Sequence, residues 1–303
     1  MTNSRHMRRT EFMGVLFDQL TPDELLDEVA VRSRSNQFSY LITPNVSHLI
    51  SLASAADGPD LDQIFASADL LVCDSRVLRL LASKLNIDLQ VATGSDLVAK
   101  MLETEWDDAP RIAIIGGNKG TLGALRERYR QFAWSQYRPA MGVRHDRAAQ
   151  DGIVRFVEGE QADIVLFVIG APQSEIVCGK IAASGKARGI AMCVGASLEF
   201  LLGEKRRAPV WIQKLALEWL FRLVSEPKRL WRRYLVEGPR IFLLWRRWKS
   251  VNGDRAGSVS NGPGERKASL SILEFSKRRR TVPSRGLRVA VACDSAGASS
   301  KRE

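Results

Sequence analysis

The sequence predicts an α/β fold, a mostly parallel sheet with helices on both faces, over about residues 12–203. Two observations predict it. Short apolar runs at Phe38–Thr43, Asp69–Cys73, Arg111–Ile115, Ile164–Ile169 and Ile190–Val194 alternate with helical patterns. Each run also ends in a polar or glycine turn that opens a helix, and open α/β sheets place their ligands at that carboxyl edge.

The elements follow in chain order. Thr21-Pro22-Asp23-Glu24 is a capping box with proline at the first helical position, so a helix is expected from Pro22 toward Val31. Phe38–Thr43 reads as a strand that ends at Thr43-Pro44-Asn45, with a helix resuming near Val46. Asp69–Cys73 is a buried-type strand closed by Asp74-Ser75. A carboxylate there either faces the crevice or caps the next helix. Thr93-Gly94-Ser95-Asp96-Leu97 is a turn entering a helix, and Arg111–Ile115 runs into Gly116-Gly117-Asn118-Lys119-Gly120. Glycines at such a turn let the backbone approach a phosphate, although the spacing is neither a dinucleotide fingerprint nor a Walker loop. A further unit has a strand near Met141–Arg144, a helix around Ala148–Glu158, the strand Ile164–Ile169 and the turn Gly170-Ala171-Pro172-Gln173-Ser174-Glu175. The last strand leads into Gly195-Ala196-Ser197-Leu198-Glu199-Phe200.

Charge divides the chain. Residues 204–249 hold 13 Lys/Arg against 4 Asp/Glu and residues 250–303 hold 11 against 5, so the first two-thirds, at 21 against 25, is slightly acidic. The basic residues of 204–249 stand beside Trp, Phe and Leu, which favours an anionic membrane surface over nucleic acid. Trp211–Val224 reads as one amphipathic helix, and Pro227 opens a second that carries Arg229, Arg232 and Arg233 beside Leu230, Trp231 and Tyr234. No apolar run approaches the roughly 20 residues of a bilayer crossing, so membrane association is expected to be peripheral. From Ser250 onward a shift to Gly, Ser, Asn and Arg reads as a disordered tail.

The four cysteines are scattered without a Cys-x-x-Cys pair, and no histidine spacing suits zinc, so no metal is expected and the compartment reads as reducing. His6, His48 and His145 form no evident triad and read as structural or exposed. The one Asp-x-Asp sequence, Asp60-Leu61-Asp62, falls at an expected helix start rather than at a strand end.

The order Arg-Ala-Pro, Glu-Trp-Leu-x-Arg-Leu, Glu-Pro-x-Arg, Arg-Arg-Tyr between Arg207 and Tyr234 resembles the C-terminal signature of the WecG/TagA/CpsF glycosyltransferases. Thr43-x-Asn45 and Thr93-Gly94-x-Asp96-Leu97 are similar to that family's motifs, as are Gly170-x-Pro172 with Glu175. Four positions depart from the pattern: Ser75 replaces a glycine, Val91 an arginine, Ser174 a glutamine (with Gln173 one place early), and Glu199 an aspartate. The resemblance ends near residue 245. It implies an inverting, metal-independent enzyme without cofactor, which moves a sugar from a UDP-sugar to a polyprenyl-diphosphate-linked saccharide in cell-envelope synthesis. The sugar would be N-acetylmannosamine-like or a related hexose or uronic acid, and the place of work the cytoplasmic membrane face. On this reading Asp74 is the catalytic base, while Thr43, Asn45, Gly94, Gly116, Gly117, Gln173 and Glu199 meet the donor. Arg222, Arg229 and Arg232 face the lipid diphosphate if the C-terminal helices fold back onto the crevice.

The chain thus divides into a catalytic unit (12–203), an acceptor- and membrane-binding appendage (204–249) and the tail (250–303), and truncation after Gly203 is expected to leave a folded, UDP-binding core. A homo-oligomer is compatible with the sequence. Two other classes compete: a nucleotide-binding oxidoreductase using the Gly116 turn, and a non-enzymatic membrane or nucleic-acid binder using the basic C-terminus.

Overall fold

The computed structural model describes residues 8–54 and 60–252. It begins with a hairpin, β1 (Arg9–Phe12) against β2 (Val15–Asp18), around Met13-Gly14, whose φ angles of 52° and 78° suit a tight two-residue turn. Asp18 is 1% exposed and joins this hairpin to the main sheet: Oδ1 accepts from Arg9 Nε at 2.8 Å and Oδ2 from the Leu71 N–H at 2.8 Å. The sequence reading did not contain this hairpin.

The helix α1 (Pro22–Ser33) has the expected capping box, with Thr21 N–H donating to Glu24 at 2.8 Å and Glu24 N–H returning to Thr21 Oγ1 at 3.3 Å. Then come β3 (Ser39–Ile42), α2 (Val46–Ser54), α3 (Asp60–Ser67), β4 (Leu70–Leu71), α4 (Arg76–Ser83) and α5 (Gly94–Glu103). The second half runs β5 (Arg111–Ile115), α6 (Thr121–Arg128), β6 (Ala133–Tyr137), α7 (Arg147–Glu160), β7 (Ile164–Phe167), α8 (Gln173–Ser184), β8 (Ile190–Cys193) and α9 (Ser197–Leu201). Strands β3 to β8 form one parallel six-stranded sheet in the order β4-β3-β8-β7-β5-β6. All their carboxyl ends therefore lie along one edge.

Alternation along the strands separates two cores. Tyr40, Ile42, Ala113, Ile115, Val165 and Phe167 face α2, α3, α4, α7 and α8. Leu41, Ile112, Ile114, Leu166 and Met192 face α1, α5, α6 and α9. The expected α/β class with helices on both faces is what the chain adopts. One strand was misassigned: residues 141–145 are a turn, with Met141 97% exposed and Gly142 at φ +88°, and the strand is β6. β6 sits at the sheet edge and buries only Trp134 fully, so it shows no apolar run.

The C-terminal helices also differ from expectation. In place of one helix over Trp211–Val224 there are two, α10 (Val210–Lys214) and α11 (Glu218–Ser225), separated at Ala216, which holds a left-handed φ of +58°. Gln213 explains the stop. Its side chain is drawn inward, donating to Ala208 O at 2.7 Å and accepting from Arg76 at 3.1 Å, and the backbone turns after it. Pro227 opens α12 (Pro227–Trp231) as expected, and the chain continues as a π-helical turn over Arg232–Glu237 before α13 (Arg240–Asn252). The reading of residues beyond Asn252 as a tail lies outside the described residues.

These helices fold back onto the sheet domain. Ile241 and Trp248 of α13 join the main core, Trp248 meets Phe12 of β1 edge-to-face at 5.5 Å, and Trp245 Nε1 donates to Leu81 O at 2.9 Å. Truncation after Gly203 would remove, among others, the three large buried apolar side chains Leu230, Ile241 and Trp248, each contributing about 1.5–3 kcal/mol by burial. The truncated protein is therefore expected to lose several kcal/mol, read as a lower urea midpoint. An unchanged midpoint would show that the helices are dispensable to the core.

Candidate active site

Beneath α11, the π-turn and the start of α13, at the carboxyl edge of β3 and β4, lies a cavity of about 350 Å³. Its floor comes from the turns after the two strands. Pro44 O accepts the Asp74 N–H at 2.9 Å, and Cys73 bridges Val91 in parallel, so the backbone on both sides of Asp74 is fixed by neighbouring strands. Ser75 caps α4, accepting from Leu78 N–H at 3.2 Å, with an extended φ of −158°. That conformation makes no demand for glycine, which is why serine is tolerated there.

The Asp74 carboxyl is held well above the usual carboxylate range, at about 7. Burial is the main cause. Arg222 opposes it, Glu218 and Asp96 reinforce it, and a hydrogen bond from the Gly94 N–H partly offsets it. Asp96 in turn is held by Thr93 at 2.6 Å and Arg207 at 2.5 Å.

Three arginines line the cavity with Asp74: Arg76, Arg222 and Arg233. Arg222 bonds Glu218 at 2.9 Å and lies over the Phe200 ring at 4.9 Å, while Arg76 stands 3.8 Å from the other Glu218 oxygen. Arg233 is different. Its Nε donates to Ser47 Oγ at 2.7 Å, but among the described residues no carboxylate lies within ion-pair distance of it. Burial and the neighbouring Arg222 and Arg229 lower its affinity for its proton. A half-buried guanidinium without an ion-pair partner, open to a cavity, favours an anionic ligand. Trp219 and Tyr234, edge-to-face at 6.2 Å, supply the apolar wall.

A family model described as the glycosyl transferase WecG/TagA/CpsF family matches residues 10–254. The chain belongs to that family. It is a glycosyltransferase of cell-envelope polysaccharide synthesis, which in general terms joins a nucleotide-sugar donor to a lipid-linked acceptor.

In this WecG/TagA/CpsF glycosyltransferase the sequence-derived site residues fall into three groups. Asp74, Asn45 and Arg222 share the cavity. Thr43 and Gly94 lie just behind it as supports: Thr43 Oγ1 donates to Cys193 O at 3.0 Å, and a side chain at Gly94 would press on Val194 at 3.2 Å. The remainder lie apart from its lining. Gln173 donates to Ile169 O, and buried Ser174 donates to Gly170 O at 2.8 Å. Glu199 pairs with Lys205 at 2.5 Å, Arg229 is tied to Glu226 at 2.6 Å, and Arg232 is exposed. At Gly116 and Gly117, φ angles of +106° and +75° require glycine, and added side chains would strike Ile169 and Thr121. The α6 N-terminus beyond them is already capped, since Asn118 Oδ1 accepts from the Gly120 and Thr121 N–H groups at 2.7 and 3.0 Å.

The positions that depart from the family pattern have local explanations. Val91 packs against the core, so positive charge reaches this cavity from Arg76, Arg222 and Arg233 instead. Arg76, Arg233 and Glu218 were not among the residues picked from sequence. Among the described residues no cluster of three His, Cys, Asp or Glu is arranged to hold a metal ion, and Asp60-Leu61-Asp62 lies at the start of α3.

Proposed function

We propose that the protein is an inverting transferase that uses a UDP-sugar and a polyprenyl-diphosphate-linked saccharide, with Asp74 as general base. The observation that carries this reading is the pairing, in one cavity, of a carboxyl poised near 7 with the uncompensated guanidinium of Arg233. Asp74 takes the proton of the acceptor hydroxyl as that oxygen attacks the anomeric carbon. The bond from that carbon to the UDP oxygen breaks on the opposite face, which inverts the configuration. Arg222 and Arg233 meet diphosphate charge with charge-assisted hydrogen bonds, and Asn45 orients the donor from the floor. Arg229 and Arg232 then belong to the outer path of the lipid diphosphate.

A peripheral seat on the inner face of the cytoplasmic membrane fits the outer surface of the same helices. Trp211, Val224, Trp231 and Leu243 are exposed on the C-terminal helices, as are Arg232, Arg240 and Arg246. No helix of the described residues is long and apolar enough to cross a membrane.

Thermal-shift screening against UDP-sugars, followed by transfer to a lipid-linked acceptor, tests the reading. A ligand at a hundred times its dissociation constant is expected to stabilise the protein by about 2.7 kcal/mol. Transfer is expected to survive EDTA and to give the inverted anomer by NMR. Loss in EDTA with recovery on Mg²⁺ or Mn²⁺ would overturn the metal-independent mechanism, and absence of any UDP-sugar response would overturn the donor class.

A further inference from the structure

We propose that Glu175 and His48 are a positioning pair, in which Glu175 accepts the Nε2–H that the Asn45 amide imposes on His48, so that the imidazole holds the turn carrying Asn45 and Ser47 against the cavity. The geometry is a chain of directional bonds. The Asn45 N–H donates to His48 Nδ1 at 3.1 Å, and His48 Nε2 lies 3.3 Å from Glu175 Oε1. A backbone amide can only donate, so Nδ1 must be bare and the ring proton must sit on Nε2, where it points at the carboxylate. A doubly protonated ring would set two N–H groups against each other at Asn45.

Both residues are buried, His48 to 7% exposure and Glu175 to 2%, and the second carboxylate oxygen of Glu175 is buried without a partner among the described residues. An open buried acceptor is destabilising, so packing alone gives no reason for a carboxylate at this position. What it supplies is direction. From the same turn, Asn45 Oδ1 accepts the Ser47 N–H at 3.0 Å and Ser47 Oγ accepts from Arg233 at 2.7 Å. The pair thereby links α8, on the sheet, to the cavity floor and to Arg233 of the roof.

This inference rests on the reading of the cavity as the substrate site, but its first test does not. Nitrogen-15 NMR of the full-length protein with labelled histidine is expected to show His48 as the Nε2–H tautomer at neutral pH. In Glu175→Gln the same tautomer is expected to persist, because the Asn45 N–H still selects it, while the Nε2–H resonance moves as its acceptor changes from a carboxylate to an amide. The Nδ1–H tautomer in the parent, or an unmoved Nε2–H resonance in Glu175→Gln, would overturn the proposal.

The second test uses two substitutions that each preserve half of the ring's reach. His48→Asn keeps an acceptor at the Nδ1 position, and His48→Gln keeps a donor at the Nε2 position. With UDP as the probe, His48→Gln is expected to weaken binding and raise the donor KM by about fivefold to tenfold, the equivalent of one hydrogen bond. His48→Asn is expected to stay within about twofold, with similar thermal midpoints for both. The reverse order, or equal loss in both, would overturn the proposal. If UDP fails to bind the parent protein, the donor reading falls while the tautomer result still decides the pairing.

Discussion

Asp74→Asn is expected to lower turnover by about 10² to 10⁴, the usual contribution of a general base, while leaving UDP affinity unchanged. The parent enzyme is expected to show a kcat/KM that rises with pH through about 7, because only the ionised carboxylate accepts a proton and burial holds its pKa there. That limb should vanish in the variant. Stability moves the opposite way. The folded pKa lies above the unfolded value near 4, so the native state binds more protons between the two, and the parent loses stability as pH rises from about 4 to about 7. Asparagine does not titrate and can still accept from Gly94, so the variant is expected to be the more stable protein above neutrality, by up to a few kcal/mol at about 1.36 kcal/mol per pKa unit. Urea midpoints at pH 5 and pH 8 check this. Near-normal turnover, or a limb that persists, would remove Asp74 from the chemistry.

Arg233→Met is expected to separate binding from stability in the same way. Loss of a half-buried charge that has no carboxylate at ion-pair distance costs the fold little, and methionine fills much of the volume. Loss of a charge-assisted hydrogen bond to phosphate is worth about 1.5–3 kcal/mol, so the KM for the lipid-linked acceptor is expected to rise about 10- to 100-fold. Steady-state kinetics beside a denaturation curve would show it. A large drop in the midpoint with an unchanged KM would make Arg233 a structural residue.

Buried parallel strands were easy to read because both faces are covered and the residues are apolar throughout, as in Ile164–Phe167. Asp74 was legible for the same reason, as the polar residue that ends such a run. An edge strand with one dry side chain gave no signal, hence β6 was missed and the turn at Met141 was taken for a strand. The C-terminal arginines show a different limit. The helical phase after Trp211 depends on a left-handed Ala216 and on the π-turn at Arg232–Glu237, and neither carries a glycine or proline to announce it. Consequently Arg222 and Arg233 line the cavity from the C-terminal helices, whereas Arg229 and Arg232, picked from sequence beside Arg222, lie outside its lining. The pairing of His48 with Glu175 spans 127 residues, and no local pattern could reveal it.

The sheet order has a consequence for how the protein is made. β8, the last strand of this sheet to leave the ribosome, occupies an inner place between β3 and β7. Before it arrives the sheet can exist only as two pieces, β3 with β4 and β7 with β5 and β6, each presenting an apolar strand with an unsatisfied edge. Pairings as distant as Thr43 with Cys193, 150 residues apart, place folding in the slow, high-contact-order regime and favour chaperone capture of the nascent chain. The insertion of β8 joins the two halves beside Thr43, so the edge that carries the cavity floor is also the last seam of this sheet to close.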